Sequence, residues 1–371
     1  MEPIFFPDYQ NSIVSLSNSI LKFFDCPTHH KSLPLVDAVF SKGYQNVVLI
    51  LIDGMGQANI ERLLPKESII RKRNIHTLSS VFPPTTVAAT TSLLSGKNPV
   101  QSGWLGWCQY IKEEDKSIVF FTNKDYYNEE ASFDYSIADT YVQYESILDQ
   151  VKRMNPSVKT TEIFPAFRSP EHTTFAKEME TLEQVLSQKG SHFTYVYWDK
   201  LDSLMHEFGP GSIEVYHEAK RIETVLEGLE ERLPKNTICL ITADHGQVDV
   251  CPIELAKYPA LLETLEHMPS IESRATSFFV KKDQQSKFEQ LFKEYFRDSF
   301  VLYSKADVLQ FELFGQGTPH PKFDEFLGDY LAIAMDRFYF KMNQGRMHMR
   351  GQHAGLLRDE MLVPLLLFEK K

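Results

Sequence analysis

The clearest pattern along the chain is a set of short, unbroken apolar runs that stop at acidic residues. Val47-Val48-Leu49-Ile50-Leu51-Ile52 is apolar at every position and rich in β-branched side chains, then breaks at Asp53-Gly54-Met55-Gly56. Apolar side chains at successive rather than alternate positions predict a strand covered on both sheet faces, and such strands belong to parallel sheets. Phe193 to Trp198 repeats the design before Asp199, and Thr237 to Thr242 repeats it before Ala243-Asp244-His245-Gly246. Between the last two, Val215, Ala219, Ile222, Val225, Leu226 and Leu229 recur at helical spacing and predict a helix over Glu214 to Leu233. Alternating strand and helix predict a doubly wound α/β sheet. Its ligands bind at the carboxyl ends of the strands, which directs Asp53, Asp202 and Asp244 toward one crevice.

After Val250 the texture changes. An amphipathic run from about Ile253 to His267, a strand-like stretch opening at Arg274 and ending at Val280, and a helix-like Lys287 to Arg297 predict an inserted α+β subdomain. The expected organisation is a discontinuous core of residues 1–250 and 341–371 with a cap-like insertion over 251–340. Gly315 to Pro321 carries the turn residues of a mobile loop.

Composition narrows the class. The chain has 371 residues, 43% of them apolar and 24% charged, which suits a large folded core rather than a disordered segment. Thirty-nine basic against fifty acidic side chains give a formal charge of −11, so no nucleic-acid-binding surface is expected. Arg71-Lys72-Arg73 is read as a solvated face. The four cysteines, Cys26, Cys108, Cys239 and Cys251, are scattered, with no C-x-x-C spacing for a disulfide framework or a thiolate zinc site. With no apolar run near the ~20 residues of a membrane span and no leader-like start, a cytoplasmic protein is expected. Oligomeric state is not legible.

Chemistry concentrates in three places. Asp202-x-x-x-His206 puts a carboxylate and an imidazole on the same side of one helical turn, Asp244-His245 is an adjacent pair, and His353 lies between Gly351 and Gly355. With Asp53 the count is three carboxylates and three imidazoles, a mixed O/N set suited to zinc or manganese and sufficient for two ions if a further oxygen joins. Phe82-Pro83-Pro84-Thr85-Thr86 precedes a helix predicted to close at Gly96, so Thr85 or Thr86 supplies that oxygen where free amides and the helix dipole favour phosphate. A hydroxyl beside a divalent cation ionises easily and becomes a nucleophile, which implies two-metal phosphoryl transfer.

Ile52 to Gly56, Phe82-Pro83-x-x-Thr86 ending at Ser95-Gly96, Asp202-x-x-x-His206, Ala243 to Gly246 and Gly351 to Gly355 together resemble the alkaline phosphatase superfamily, most closely its type I phosphodiesterase/nucleotide pyrophosphatase branch. The matched order spans Asp53 to His353, about four fifths of the chain. The resemblance implies an alkaline-phosphatase-like α/β/α sandwich and a metal-dependent hydrolase of phosphodiester or pyrophosphate bonds in small-molecule phosphoesters. It implies one metal on Asp202, His206 and His353, a second on Asp53, Asp244 and His245, and Thr86 as the nucleophile touching the second. Two zinc ions are expected, with manganese as the alternative. Three positions depart from the family pattern: Val87 follows the nucleophile where nucleotide-hydrolysing members place an aromatic, Trp107 stands where an Asn helps hold phosphate, and Ala354 replaces the final glycine of the last motif.

Other readings stand beside this one. A phosphomutase of the same superfamily would retain and re-deliver the phosphate, and a silent metal-binding protein would keep the ligands without turnover. A sulfatase is excluded, because no C-x-P-x-R sequence exists. Asp199 is read as a turn or supporting residue and His348 as an exposed loop residue. Trp104, Trp107 and Tyr110 are read as core, with a wall for the leaving group as the alternative. Arg274 is either an anion clamp or half of a structural ion pair.

Overall fold

A computed structural model describes residues 4–128, 130–343 and 348–371. The strand Asn46–Ile52 runs through the middle of a six-stranded sheet, and all seven of its residues are buried, as an uninterrupted apolar run requires. It pairs in parallel with Ser191–Trp198 on one side and Thr237–Thr242 on the other, and Val158–Ile163 extends the parallel edge. Leu362–Lys370 runs antiparallel to Thr237–Thr242 and to the outermost strand, Asn74–Ser79. Ile13–Phe23, Thr86–Ser95 and Ile147–Met154 form one group of packed helices; Phe175–Leu186, Lys200–Phe208 and Ile213–Arg232 form another. The result is the expected α/β/α sandwich. In Ile213–Arg232 the residues facing the core are Val215, Ala219, Ile222, Leu226 and Leu229, the stripe anticipated from spacing.

A second, wholly antiparallel sheet has seven strands in the order Phe300–Ser304, Tyr330–Ala334, Ala275–Val280, Leu265–Ile271, Cys108–Ile111, Lys116–Val119 and Lys124–Asp125. Its last three strands come from the segment directly after the helix Thr86–Ser95, so this layer is not confined to 251–340. Ile271 pairs with Cys108, and the hairpin from 108 to 119 thereby covers what would otherwise be an open edge. The expected core boundary at 341 falls at the end of the strand Phe338–Lys341, which pairs in parallel with Cys251–Glu254, and residues 344–347 just after it lie outside the described residues.

Two local expectations change. The run from Ile253 to His267 is not one amphipathic helix: it is the strand Cys251–Glu254, the single turns Leu255–Lys257 and Pro259–Leu262, then the strand Leu265–Ile271. Pro259 has no amide hydrogen to donate and restricts Tyr258, so a continuous helix cannot pass that point. The Gly315 to Pro321 loop is tied down rather than loose. Asn98 Nδ2 donates to the Gln316 carbonyl at 2.9 Å, and the His320 amide donates to the Val100 carbonyl at 2.7 Å. Among the described residues no helix is long and apolar enough to cross a membrane.

Candidate active site

The parallel strands deliver their acidic residues to one edge because carboxylates have no place inside a strand buried on both faces. Ile52 pairs with Trp198 and Leu51 with Thr242, so Asp53 and the Ala243-Asp244-His245 turn emerge side by side. The Asp53 amide donates to the Trp198 carbonyl at 2.8 Å, and the Gly54 amide to Asp244 Oδ1 at 3.1 Å. Gly54 sits at φ 72°, a conformation glycine adopts without penalty, and a Cβ at Gly246 would lie 2.1 Å from the Asp359 carbonyl oxygen. These glycines allow two turns to meet beneath the cluster.

Asp202 and His206 share one side of the helix Lys200–Phe208, with His206 Nε2 3.2 Å from Asp202 Oδ2. The His353 ring stacks on His245 at 3.7 Å and lies 5.2 Å from His206. Donor atoms of Asp202, His206 and His353 lie within 4.8 Å of one another, and so do those of Asp53, Asp244 and His245. Thr86 opens the helix Thr86–Ser95, which Gly96 closes in the left-handed region. Its Oγ1 is 3.3 Å from Asp53 Oδ2 and 3.2 Å from His245 Nε2. The fold thus brings together all seven residues singled out in the sequence. Thr85, the alternative nucleophile, points elsewhere, toward Glu272.

The electrostatics are those of a cation site. Burial pushes Asp53 far above the usual carboxylate range, and Asp244 and Asp202 push it the same way. Burial also raises Asp244, with His245 opposing. Burial acts upward on Asp202 too, but His206 holds it low, and Asp202 in turn lifts His206 against the effect of its own burial. His353 is pushed well down by burial and by neighbouring His245.

The side chains fit divalent ions. Each imidazole places Nδ1 on a backbone carbonyl, His206 on Gly351 at 2.8 Å, His245 on Gly246 at 3.2 Å and His353 on Pro84 at 3.0 Å. That arrangement fixes the tautomer and leaves Nε2 as the free lone pair, the usual support of a metal-binding histidine. Asp244 Oδ2 is buried with no hydrogen-bond partner among the described residues, an expensive state that a cation would relieve.

Sequence reasoning missed the supporting residues. Tyr197 OH donates to Asp53 Oδ2, and Gln247 Nε2 donates to Asp202 Oδ1 and to its carbonyl. Asn59 holds Gln247 in turn, donating to its carbonyl at 3.0 Å and accepting from its amide at 3.0 Å. Glu272, fully enclosed beside the site, accepts from Thr85 Oγ1 at 2.6 Å and from the Trp107 amide at 2.7 Å, and burial pushes its carboxyl up to about 7. Its signal was present, since Glu272 follows a strand just as Asp53 does.

A cavity of about 290 Å³ opens on Thr86, Asp202, His206 and His353, with Trp107, Glu272 and Tyr339 among its walls. Trp107 therefore faces it. Trp104 is core, donating Nε1 to the Val142 carbonyl at 2.7 Å, and Tyr110 stacks on His267 at 3.6 Å. Val87 is buried, Asp199 is half-buried ahead of the Lys200–Phe208 helix, and His348 is exposed. Arg73 pairs with Glu230 at 2.7 Å on the surface. Arg274 is no anion clamp: wholly buried, it grips Glu360 through Nε and Nη2, each at 2.8 Å. Ala354 takes φ 87°, the left-handed conformation that a glycine would hold without strain.

Solved structures share this architecture at low identity. Human ectonucleotide pyrophosphatase/phosphodiesterase 5 superposes with a TM-score of 0.66 at 17% identity, covering 87% of each chain, and the murine protein with 0.64 at 15%, covering 86% of this chain and 87% of that one. Phosphonoacetate hydrolase from Sinorhizobium meliloti, in complex with phosphonoacetate, gives 0.63 at 14%, covering 87% of this chain and 90% of that one. No curated protein matches the sequence significantly. The model of the family described as type I phosphodiesterase / nucleotide pyrophosphatase matches residues 47–353, a stretch that runs from the central strand to the last imidazole of the cluster. A match over that span, on a fold that closes the motifs around one cavity, means that the chain belongs to the type I phosphodiesterase / nucleotide pyrophosphatase family and is a phosphoester hydrolase of that kind.

Proposed function

We propose that the protein hydrolyses a phosphodiester or pyrophosphate bond of a small-molecule substrate through a covalent phosphothreonine at Thr86. The observation that carries this reading is the position of Thr86 Oγ1, at a helix amino terminus and in contact with both Asp53 and His245. Asp202, His206 and His353 would hold one divalent ion and Asp53, Asp244 and His245 the other, zinc being proposed with manganese as the alternative. When bound, the ions would supply the positive charge that lowers the hydroxyl's pKa and offsets charge on the phosphoryl oxygens.

The rest falls to the chain. Asp53 accepts from the Thr86 hydroxyl at 3.3 Å and would take its proton as the oxygen attacks. Attack forms the threonyl O–P bond as the bond to the leaving group breaks, and water later cleaves the threonyl phosphate. Trp107 and Tyr339 give the leaving group an aromatic surface. A cytoplasmic setting belongs to the same proposal and is supported by the cysteine pattern.

Metal-loaded protein is expected to cleave bis(p-nitrophenyl) phosphate, to lose that activity on treatment with a chelator, and to regain it with zinc or manganese. Turnover that survives complete removal of metal would contradict the reading.

A further inference from the structure

The helix Thr86–Ser95 begins without a side-chain cap, as do Ile69–Lys72 after Ser68 and Lys200–Phe208 after Asp199. Ser12, Ser136, Ser146, Thr174, Ser212 and Ser304 each precede a helix and cap it by accepting a first-turn amide on the side-chain oxygen. Thr85 occupies the same position, with extended backbone at φ −136°, yet its hydroxyl makes no cap. It donates instead to Glu272 Oε1 at 2.6 Å. Glu272 stands at the tip of the hairpin formed by Leu265–Ile271 and Ala275–Val280, where its amide donates to the Ala275 carbonyl at 3.1 Å.

The backbone is strained to bring it there. Ile271, β-branched and fully buried, lies at φ 74°, a conformation costly for any side chain and rare for a branched one. The Trp107 amide, from the neighbouring segment, fixes the same carboxylate oxygen at 2.7 Å. Strain, burial and two short hydrogen bonds all serve to hold one acceptor against the residue preceding the nucleophile.

We propose that Glu272 is a positioning residue: by engaging the Thr85 hydroxyl as a donor, it withholds the side-chain cap from the nucleophile helix and leaves the first-turn amides beside Thr86 to a phosphoryl oxygen. A helix cannot satisfy those amides internally, so a cap, water or an anion takes them, and a cap would exclude the anion. The proposal rests on the reading of Thr86 as the nucleophile.

The test uses the metal-loaded full chain, with bis(p-nitrophenyl) phosphate as substrate and inorganic phosphate as competitor. Glu272→Ala frees Thr85 to cap the helix, and kcat and phosphate affinity should each fall about tenfold, the scale of one competing hydrogen bond. Glu272→Gln retains an acceptor for Thr85 and should stay within about threefold of the parent. The deciding variant is Glu272→Ala combined with Thr85→Val, which removes the competing hydroxyl and should recover most of both losses. A double variant no better than Glu272→Ala overturns the proposal, since Glu272 then serves the substrate or the fold directly. A Glu272→Gln variant as poor as Glu272→Ala overturns it as well. Absence of hydrolysis in the parent would count against the reading of Thr86. Calorimetric titration of inorganic phosphate into the same proteins would still decide the role of Glu272.

Discussion

At the scale of a single residue, it is Thr86, as the proposed nucleophile, that distinguishes catalysis from mere ion binding. Thr86→Ala removes the oxygen proposed to attack but none of the six carboxylate and imidazole donors around it. Turnover should drop by about 10² or more while two metal ions still bind, as measured by steady-state kinetics beside elemental analysis of the protein. Thr86→Ser should retain part of the rate, because the oxygen persists while the methyl that restricts its rotamer is lost. An unchanged rate in Thr86→Ala would remove the nucleophile. The adjacent Thr85 shows how far residue type alone can mislead. A threonine ahead of a helix is a natural cap, and only the approach of Glu272, distant in sequence, turns its hydroxyl the other way.

Among the elements, the helix Phe175–Leu186 carries an unusual burden. Glu178 lies on its buried side, and neither carboxylate oxygen has a hydrogen-bond partner among the described residues. Burial, with Asp199 nearby, pushes its carboxyl from 4.5 to about 9. A group that holds its proton more tightly when folded stabilises the protein fully below its unfolded value of 4.5, and that stability is lost as pH rises toward about 9. Glu178→Gln should therefore flatten the decline of the urea midpoint between pH 5 and 9, and at pH 8 should raise stability by on the order of 2 kcal/mol. Parallel curves for parent and variant would show that Glu178 is not held neutral. The hairpin at 271–275 is the other decisive element, because one tip reaches both sides of the site. Glu272 engages Thr85, the residue before Thr86, and Arg274 engages Glu360, which also accepts the Gly355 amide at 2.7 Å in the loop carrying His353.

For the whole molecule, that Arg274–Glu360 pair joins the second sheet to the segment between His353 and the strand Leu362–Lys370. Both side chains are fully buried, so removing one strands a charge in a medium that cannot solvate it. Arg274→Met should cost about 3–5 kcal/mol in urea unfolding, and it should weaken metal binding at the set containing His353. A cost below ~1 kcal/mol would mean that Glu360 is satisfied by the Gly355 and Leu357 amides alone. Of the seven residues of the candidate site, Thr86 was separated from Thr85 only by resemblance to the family, and helical spacing marked Asp202 with His206 and the helix Ile213–Arg232. The sequence by itself determined the parallel strands and the acidic residues Asp53 and Asp244 at their ends, for one physical reason. Strands buried on both faces show as continuous apolar runs, and polar groups must appear where the chain leaves them. Tertiary structure alone decided which side chains support those seven. Tyr197 reaches Asp53 and Glu272 reaches Thr85 across 144 and 187 residues of chain, and no local pattern encodes such a meeting. The same holds for the strands from 108 to 125, which complete the sheet of the later segment because an open edge is satisfied by whatever strand the fold brings beside it.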